Sequence, residues 1–402
     1  MYDSLNKIYY KHPEYYNQCY KDRIDNEFSI HLNINISGNQ AFFLQTPELF
    51  QKIISIMKNN NILTHLLYNL PRKAINQYAE KCLIDEIILT NNIEGVHSTR
   101  KEINEILIEP EGRKNNNRFI GLVNRYNMLG KQKISLETCN DIRQIYDELV
   151  LEEVSLSDKN NIPDGRIFRK SGVNVHSVTD KIIHKGVTPE NEIQDYLNKS
   201  LKFLNDGNIN IYFRIAIFHY LFGYIHPFYD GNGRTSRFIS SYLLTDELNG
   251  LIGYRLSYTI KENINKYYKA FKTCNDPKNL GDLTPFIYMF LEIIDESMIN
   301  LKNSLESRYD KFILYKERIK FLPLGKDETY NNIYDLLIQA TLFSEYGISI
   351  IDLTDVLKIS RNTLNSRLKM LPSELLSIKY EKRLKFYSLN LENVDDCIKK
   401  YL

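Results

Sequence analysis

The chain has no tryptophan, five cysteines in 402 residues and no apolar run long enough to cross a membrane. Each absence excludes something. Cys19, Cys82, Cys139, Cys274 and Cys397 are scattered, odd in number and form no CxxC pair, which argues against a zinc site or a disulfide framework. Free thiols fit a reducing compartment. The apolar stretches stop short of the ~18 residues a membrane span needs. The opening residues, MYDSLNKIYYKHPEYYNQCYKDR, lack the apolar segment of a secretory signal. The expectation is a cytoplasmic protein with no membrane partner. Net charge is missing too: 52 Lys+Arg stand against 50 Asp+Glu, so binding to nucleic acid must come from a local patch.

What is present is ordinary globular composition, 43% hydrophobic and 25% charged. The length allows two or three domains of ~100–200 residues. Hydrophobic periodicity is mostly helical. Residues 1–45 alternate loosely and suggest short strands. TPELFQKIISIMK, from Thr46, has a Pro and an early Glu at a helix start. A helix over 73–92 stops at Glu94-Gly95, where Gly can take the left-handed position. Thr99 and Glu102 form a capping box for the next helix. Two helices are expected in 117–155, a β-hairpin in 165–187, then helices over 189–206, 211–225, 234–248, 261–275 and 283–305. KERIKFLPLGKDETYN, with Pro323 and Gly325, reads as a linker. The expected domains are 1–72, an N-terminal segment of short strands and helices; 73–110; 111–305; a linker, 306–328; and a small module, 329–402.

His226 to Arg237, HPFYDGNGRTSR, carries the most information. A largely apolar helix ends in His226, and Asp230-Gly231-Asn232-Gly233 leads into a second helix. Gly-Asn-Gly can turn successive N–H groups inward, and the following helix N-terminus favours an anion. Arg234 and Arg237, three apart, share a helix face and can pair with phosphate. Asp230 suits a Mg²⁺ that bridges phosphates. His226, at the rim, suits a general base. The bland alternative is a simple turn beside solvated arginines, which a bare GNG would favour but the full string does not.

This string resembles the Fic signature HPFxx-GN-GR-xx-R at each defining position. The resemblance covers about residues 75–300. It implies a mainly α fold, a helical core with a β-hairpin flap; the layout of the last module separately suggests a small C-terminal winged helix-turn-helix domain. It implies that His226 deprotonates a target hydroxyl, Asp230 holds Mg²⁺, and Gly231, Asn232, Gly233, Arg234 and Arg237 hold the phosphates of ATP. Phe228 would anchor the loop. Gly233 is typical of members that transfer AMP. The implied activity is therefore a protein adenylyltransferase acting on Ser, Thr or Tyr, self-modification included. Phe168-Arg169 and residues 173–175 resemble the first flap strand, with Val175 nearest the nucleotide. Tyr267, Tyr268 and Asn275 resemble the adenine side, although the paired tyrosines serve equally well in a core.

Thr90-Asn-Asn-Ile-Glu94-Gly95 resembles the inhibitory pattern Ser/Thr-xxx-Glu-Gly/Asn, with Val96 where many members have Asn. Glu94 is expected in a bidentate pair with Arg237, occupying the γ-phosphate site. The same glutamate can position a water that removes AMP from a target. A homodimer would hold this helix in place. The last module reads as helix, short helix, turn, helix and two strands. Residues 358–385 hold eight Lys/Arg (Lys358, Arg361, Arg367, Lys369, Lys379, Lys382, Arg383, Lys385) against Glu374 and Glu381. That patch suits duplex DNA or a protein surface. The rival to an enzyme is thus a nucleotide-sensing DNA-binding regulator.

Overall fold

The computed structural model describes residues 2–108, 117–176, 182–381 and 384–401, with backbone only at Val175, His176, Ile182, Ile183 and Tyr401. The chain divides into two compact units: Met1–Asn60 with Leu83–Ile299, and Asn61–Cys82 with Asn300–Leu402. The fold is mainly helical with a few small strands. The division does not follow chain order, because residues 61–82 group with the C-terminal unit.

The first unit opens with helices α1 (Leu5–Lys11) and α2 (Tyr16–Ile24), ahead of the strands expected there. They are tied down far along the chain: buried Asp282 accepts from the Tyr2 hydroxyl at 2.6 Å and pairs with Arg23 at 3.0 Å. β1 (Ser29–Ile36) and β2 (Asn39–Leu44) form an antiparallel hairpin. Its turn places Ser37 and Gly38 at φ 50° and 86°, the positive values that match strand twist. Phe43 carries the hairpin into the core, edge-on to Phe203.

α3 (Pro47–Tyr68) and α4 (Arg72–Ile93) follow, and α4 ends at Gly95 with φ 74°. α5 (Arg100–Ile108) starts with reciprocal bonds between Thr99 and Glu102. α6 (Ile120–Asn127) is separate, whereas α7 (Cys139–Tyr146) and α8 (Glu152–Ser157) form one run joined by a wider π turn over Asp147–Leu151. The expected hairpin is smaller than 165–187: β3 (Asn174–His176) pairs with β4 (Ile182–Lys185), and 177–181 lie outside the described residues. Phe168 and Arg169 are not strand residues. Both are buried, and the Phe168 ring meets Phe228 edge-on.

α9 (Glu190–Leu204), α10 (Ile211–Ile225) and α11 (Asn232–Glu247) position the site. Apolar residues surround α10, and most of its side chains are buried, which makes it the central helix. Its one buried imidazole, His219, is held between Ser240 Oγ at 2.8 Å and Tyr267 OH at 2.7 Å. Burial lowers its pKa to about 3, so it is neutral. The helix expected over 261–275 is two, α12 (Leu256–Glu262) and α13 (Ile264–Asn275), separated at Asn263.

α14 runs over Thr284–Arg318, well past residue 305. The first thirteen residues assigned to a linker are helical because they contain neither Pro nor Gly; the breakers come later, at Pro323 and Gly325. The second unit then adds α15 (Glu328–Phe343), β5 (Ile348–Ser349), α16 (Ile350–Leu357), α17 (Arg361–Met370), β6 (Leu376–Glu381), β7 (Leu384–Leu389) and α18 (Val394–Tyr401). Its sheet has the order β5-β7-β6, with β6 and β7 antiparallel.

Candidate functional site

The loop between α10 and α11 is built around His226, which caps α10 in the left-handed region at φ 53°, ψ 62°. Phe228 is fully buried and stacks on Tyr146, with ring centroids 3.7 Å apart. Asn232 braces the loop internally: its Oδ1 accepts from the Phe228 N–H at 2.9 Å, and its Nδ2 donates to the Phe228 carbonyl at 2.8 Å. Gly231 has φ 79°, and a Cβ there would stand 2.8 Å from Val150 and 3.1 Å from Tyr146. Only glycine fits both the turn and the wall behind it. Asp230 is half-buried, and its Oδ1 accepts from the Gly231 N–H.

α11 begins at Asn232, so the N–H groups of its first turn belong to the loop itself. Arg234 and Arg237 are both buried, and each meets a glutamate. Arg237 Nη1 lies 2.8 Å from Glu94 Oε1. Its other donors go to Thr90: Nε to the hydroxyl at 2.9 Å and Nη2 to the carbonyl at 3.0 Å. The pair with Glu94 therefore runs through one nitrogen rather than the expected two, because Thr90 has taken the rest of the fork. Thr90 on α4 and Glu94 in the turn just after it are four residues apart and reach the same guanidinium. Arg234 Nη1 donates to buried Glu153 at 2.5 Å, and Nη2 lies 3.4 Å from Asp230. Its Nε is buried with no partner among the described residues.

Charge states follow from these neighbours. Burial pulls His226 down to about 4, opposed by Glu94 and reinforced by the Arg169 cation, so the imidazole is neutral at physiological pH. Burial alone would raise Glu94, but the positive charge of Arg237, with Arg234 and His226 behind it, holds it below the ordinary carboxylate range.

A pocket enclosing about 750 Å³, open mouth included, gathers Glu94, His226, Asn232, Gly233, Arg237, Tyr267, Tyr268 and Asn275. Asp230, Gly231 and Arg234 are not among its lining residues. Only the backbone of Val175 is described; it pairs with His184, and its side chain lies outside the described residues. Tyr267 is almost wholly buried, and its hydroxyl is engaged by His219. The Tyr220 hydroxyl donates to Asn275 Oδ1 at 2.6 Å. A Cβ on Gly233 would fall 2.1 Å from Glu94 Oε1, so the carboxylate lies directly over the start of α11.

The sequence reading missed His184, Ser236, Gly223 and Phe271, which also line the pocket. Phe271 sits against Gly223, where a Cβ would come within 2.6 Å of its ring. Glu153 was missed as well. A lone acid in a helical run gives no signal of burial; the π turn just before it is the structural cue, since such turns often mark functional sites.

Residues 136–244 match the family model described as the Fic/DOC family. Over those residues the chain is similar to the Fic/DOC family. It is similar to the protein adenylyltransferase Fic of Drosophila yakuba, 36% identical over 83 residues, which is 21% of this chain and 15% of that relative. The Drosophila melanogaster protein of the same name is 35% identical over 83 residues, with the same coverage. The chain thus spans about 15% of the length of the curated relatives it matches. Among solved structures, a Fic family protein from Desulfovibrio desulfuricans has a TM-score of 0.53 at 19% identity, covering 87% of this chain and 98% of that one. That likeness concerns the fold.

Proposed function

We propose that this chain transfers AMP from ATP to a hydroxyl of a protein, and that Glu94 restrains the reaction. The observation that supports this most is the gathering of neutral His226, the start of α11, Arg237 and Glu94 around one pocket. Glu94 occupies on Arg237 the place a phosphate oxygen would take.

In the proposed reaction the target hydroxyl oxygen attacks the α-phosphorus of ATP. The bond from that phosphorus to the bridging oxygen breaks, and pyrophosphate leaves. His226 takes the hydroxyl proton. The N–H groups of residues 232 and 233 and the Arg237 guanidinium bind the phosphates, and Tyr268, Asn275 and His184 wall the nucleoside end. Arg234 reaches phosphate only by turning away from Glu153 or using its spare Nε. Mg²⁺ fits as a companion of the nucleotide: Asp230 is a single carboxylate whose Oδ2 has no partner among the described residues, and these residues hold no cluster of three or more metal-binding side chains. When bound, Mg²⁺ would neutralise phosphate charge. With Glu94 in place, ATP meets a negative charge where its γ-phosphate belongs and its α-phosphate is misaligned, which can cost ~100-fold in rate. The same carboxylate is placed to orient a water that removes AMP.

Labelling with α-³²P-ATP and Mg²⁺ tests the reading on wild type, Glu94→Gly and Glu94→Gly/His226→Ala. Strong self-labelling in the single variant alone is expected. ATP binding without labelling in any variant would reject transfer.

A second reading, a DNA-binding regulator, draws on α17. Ser360 caps it, with its hydroxyl accepting from the Thr363 N–H at 3.1 Å. Leu364 and Leu368 are buried while Arg361, Asn362, Ser366 and Lys369 are exposed, and exposed Lys379 and Lys385 lie on the following hairpin. This exposed helix face with a basic hairpin beside it suits a groove and its phosphates. Arg367 lies over the Tyr330 ring instead, and Lys382 and Arg383 are outside the described residues. Duplex binding that weakens with salt and is lost in Arg361→Ala/Lys369→Ala would support it; no binding at low salt would remove it.

A further inference from the structure

Arg169 is fully buried, and none of the ion pairs among the described residues includes it. A buried cation without a carboxylate is expensive unless other groups satisfy it. Its donors go to backbone carbonyls instead. Nε donates to the His226 carbonyl at 2.9 Å, Nη1 to Ser171 at 2.6 Å, and Nη2 to Val187 at 2.7 Å and Ile225 at 3.3 Å. Its main-chain N–H reaches the Pro227 carbonyl at 3.3 Å.

Those acceptors fall into two groups. Ile225 and His226 end α10, where carbonyls lack helical partners and the dipole favours a cation. Ser171 and Val187 flank the β3–β4 hairpin on either side. The hairpin supplies further caps for α10: the Val187 N–H bonds the Ile225 carbonyl at 3.0 Å, and His184 Nε2 lies 2.7 Å from the Tyr224 carbonyl. Gly186 leaves the room this requires. A Cβ there would stand 2.5 Å from Arg169 Nη2 and 3.1 Å from the His226 Cβ. His226 itself holds a left-handed backbone, uncommon for a residue with a side chain and kept only where surrounding bonds impose it.

We propose that Arg169 is the positioning residue of His226, locking the backbone of the base to both ends of the flap hairpin so that the imidazole is set by the flap's own placement. The proposal rests on His226 being the base of the reaction above. Lysine cannot replace this device, because one ammonium lacks the planar fork that reaches separated carbonyls. The groups facing His226 are Glu94 from the turn after α4, Arg169 and His184 from the flap segment, Arg237 from α11, and Tyr267 and Tyr268 from α13. Of these, Arg169 helps keep the imidazole unprotonated and Glu94 opposes it.

The test uses the full chain in a Glu94→Gly background, with Arg169→Lys and Arg169→Gln. Self-labelling gives the maximal rate and the half-saturating ATP concentration; NMR of the His226 ring gives its titration midpoint. Arg169→Lys is expected to lose at least about tenfold in maximal rate, with half-saturating ATP within about twofold and an unmoved midpoint. Arg169→Gln is expected to lose about 100-fold and to shift the midpoint upward. Arg169→Lys labelling at the parental rate, or weakening ATP binding in step with rate, would overturn the proposal. So would an unmoved midpoint in folded Arg169→Gln. Should the Glu94→Gly parent fail to label while binding ATP, the transferase reading falls, and the His226 titration still judges Arg169.

Discussion

Two arginine–glutamate pairs stand one turn apart on α11, and they differ in what surrounds them. Arg234 meets Glu153 at 2.5 Å, and Arg237 meets Glu94 at 2.8 Å. The Glu153 side chain is 4% exposed and the Glu94 side chain 26%. Chemistry and spacing are nearly the same, yet the pairs suit different tasks. Separating Arg234 from Glu153 would leave a sealed charge with only the 3.4 Å approach of Asp230. Glu94 sits at a pocket wall just past the end of α4, so in the proposed reaction a phosphate would take its place while Thr90 still holds the arginine. The difference teaches that exposure, more than the ion pair itself, decides whether a contact works as a strut or as a latch.

Four measurements can break or sharpen this contrast. Glu153→Ala should have the largest effect, about 3–5 kcal/mol of lost stability by urea denaturation, because a buried guanidinium loses its counter-ion. A loss under about 1 kcal/mol would show that Arg234 finds another partner and that the strut reading is wrong. Thr90→Val should cost about 1–3 kcal/mol, since buried Arg237 Nε loses its acceptor. It should also raise self-labelling, but by less than Glu94→Gly does. Glu94→Ala should cost less than either, because water reaches the Glu94 carboxylate and Thr90 still satisfies buried Arg237. A loss like that of Glu153→Ala would erase the distinction between the two.

The smallest effect concerns pH. Arg237 holds the Glu94 pKa below its ordinary value, so this pair is complete at neutral pH and is lost only as pH falls through the depressed value. His226, at about 4, is unprotonated over the same neutral range. The labelling ratio of Glu94→Ala to wild type should therefore stay flat between about pH 6 and 8. A slope there would implicate Glu86. That carboxyl accepts the Ser257 N–H two turns behind Glu94 and is raised by burial to about 7.

Much of the fold was legible because helix signals are local. The apolar run of α10, the Thr99–Glu102 box and the stop at Gly95 all lie within a few residues of the feature they set. The loop was legible for the same reason: Gly231 and Asn232 shape a turn whose requirements are short-range. Two errors had different causes. Residues 306–318 look polar and linker-like but continue α14, and Phe168-Arg169 look strand-like but are buried against the loop. The first overlooked that the helix breakers, Pro323 and Gly325, come later; in the second, distant packing overrode a weak local pattern.

By itself, then, the amino-acid order determined the set of candidate site groups and their local scaffold: a histidine at a helix end, a glycine turn, two arginines one turn apart, and a Thr and a Glu four residues apart at the end of a helix. Only tertiary structure decided which carboxylate each arginine meets, that Arg237 divides its fork between Glu94 and Thr90, and that Arg169 spends its donors on the carbonyls around His226. The physical reason is that spacing along a chain specifies faces and turns, whereas burial and charge pairing depend on segments brought together from far apart.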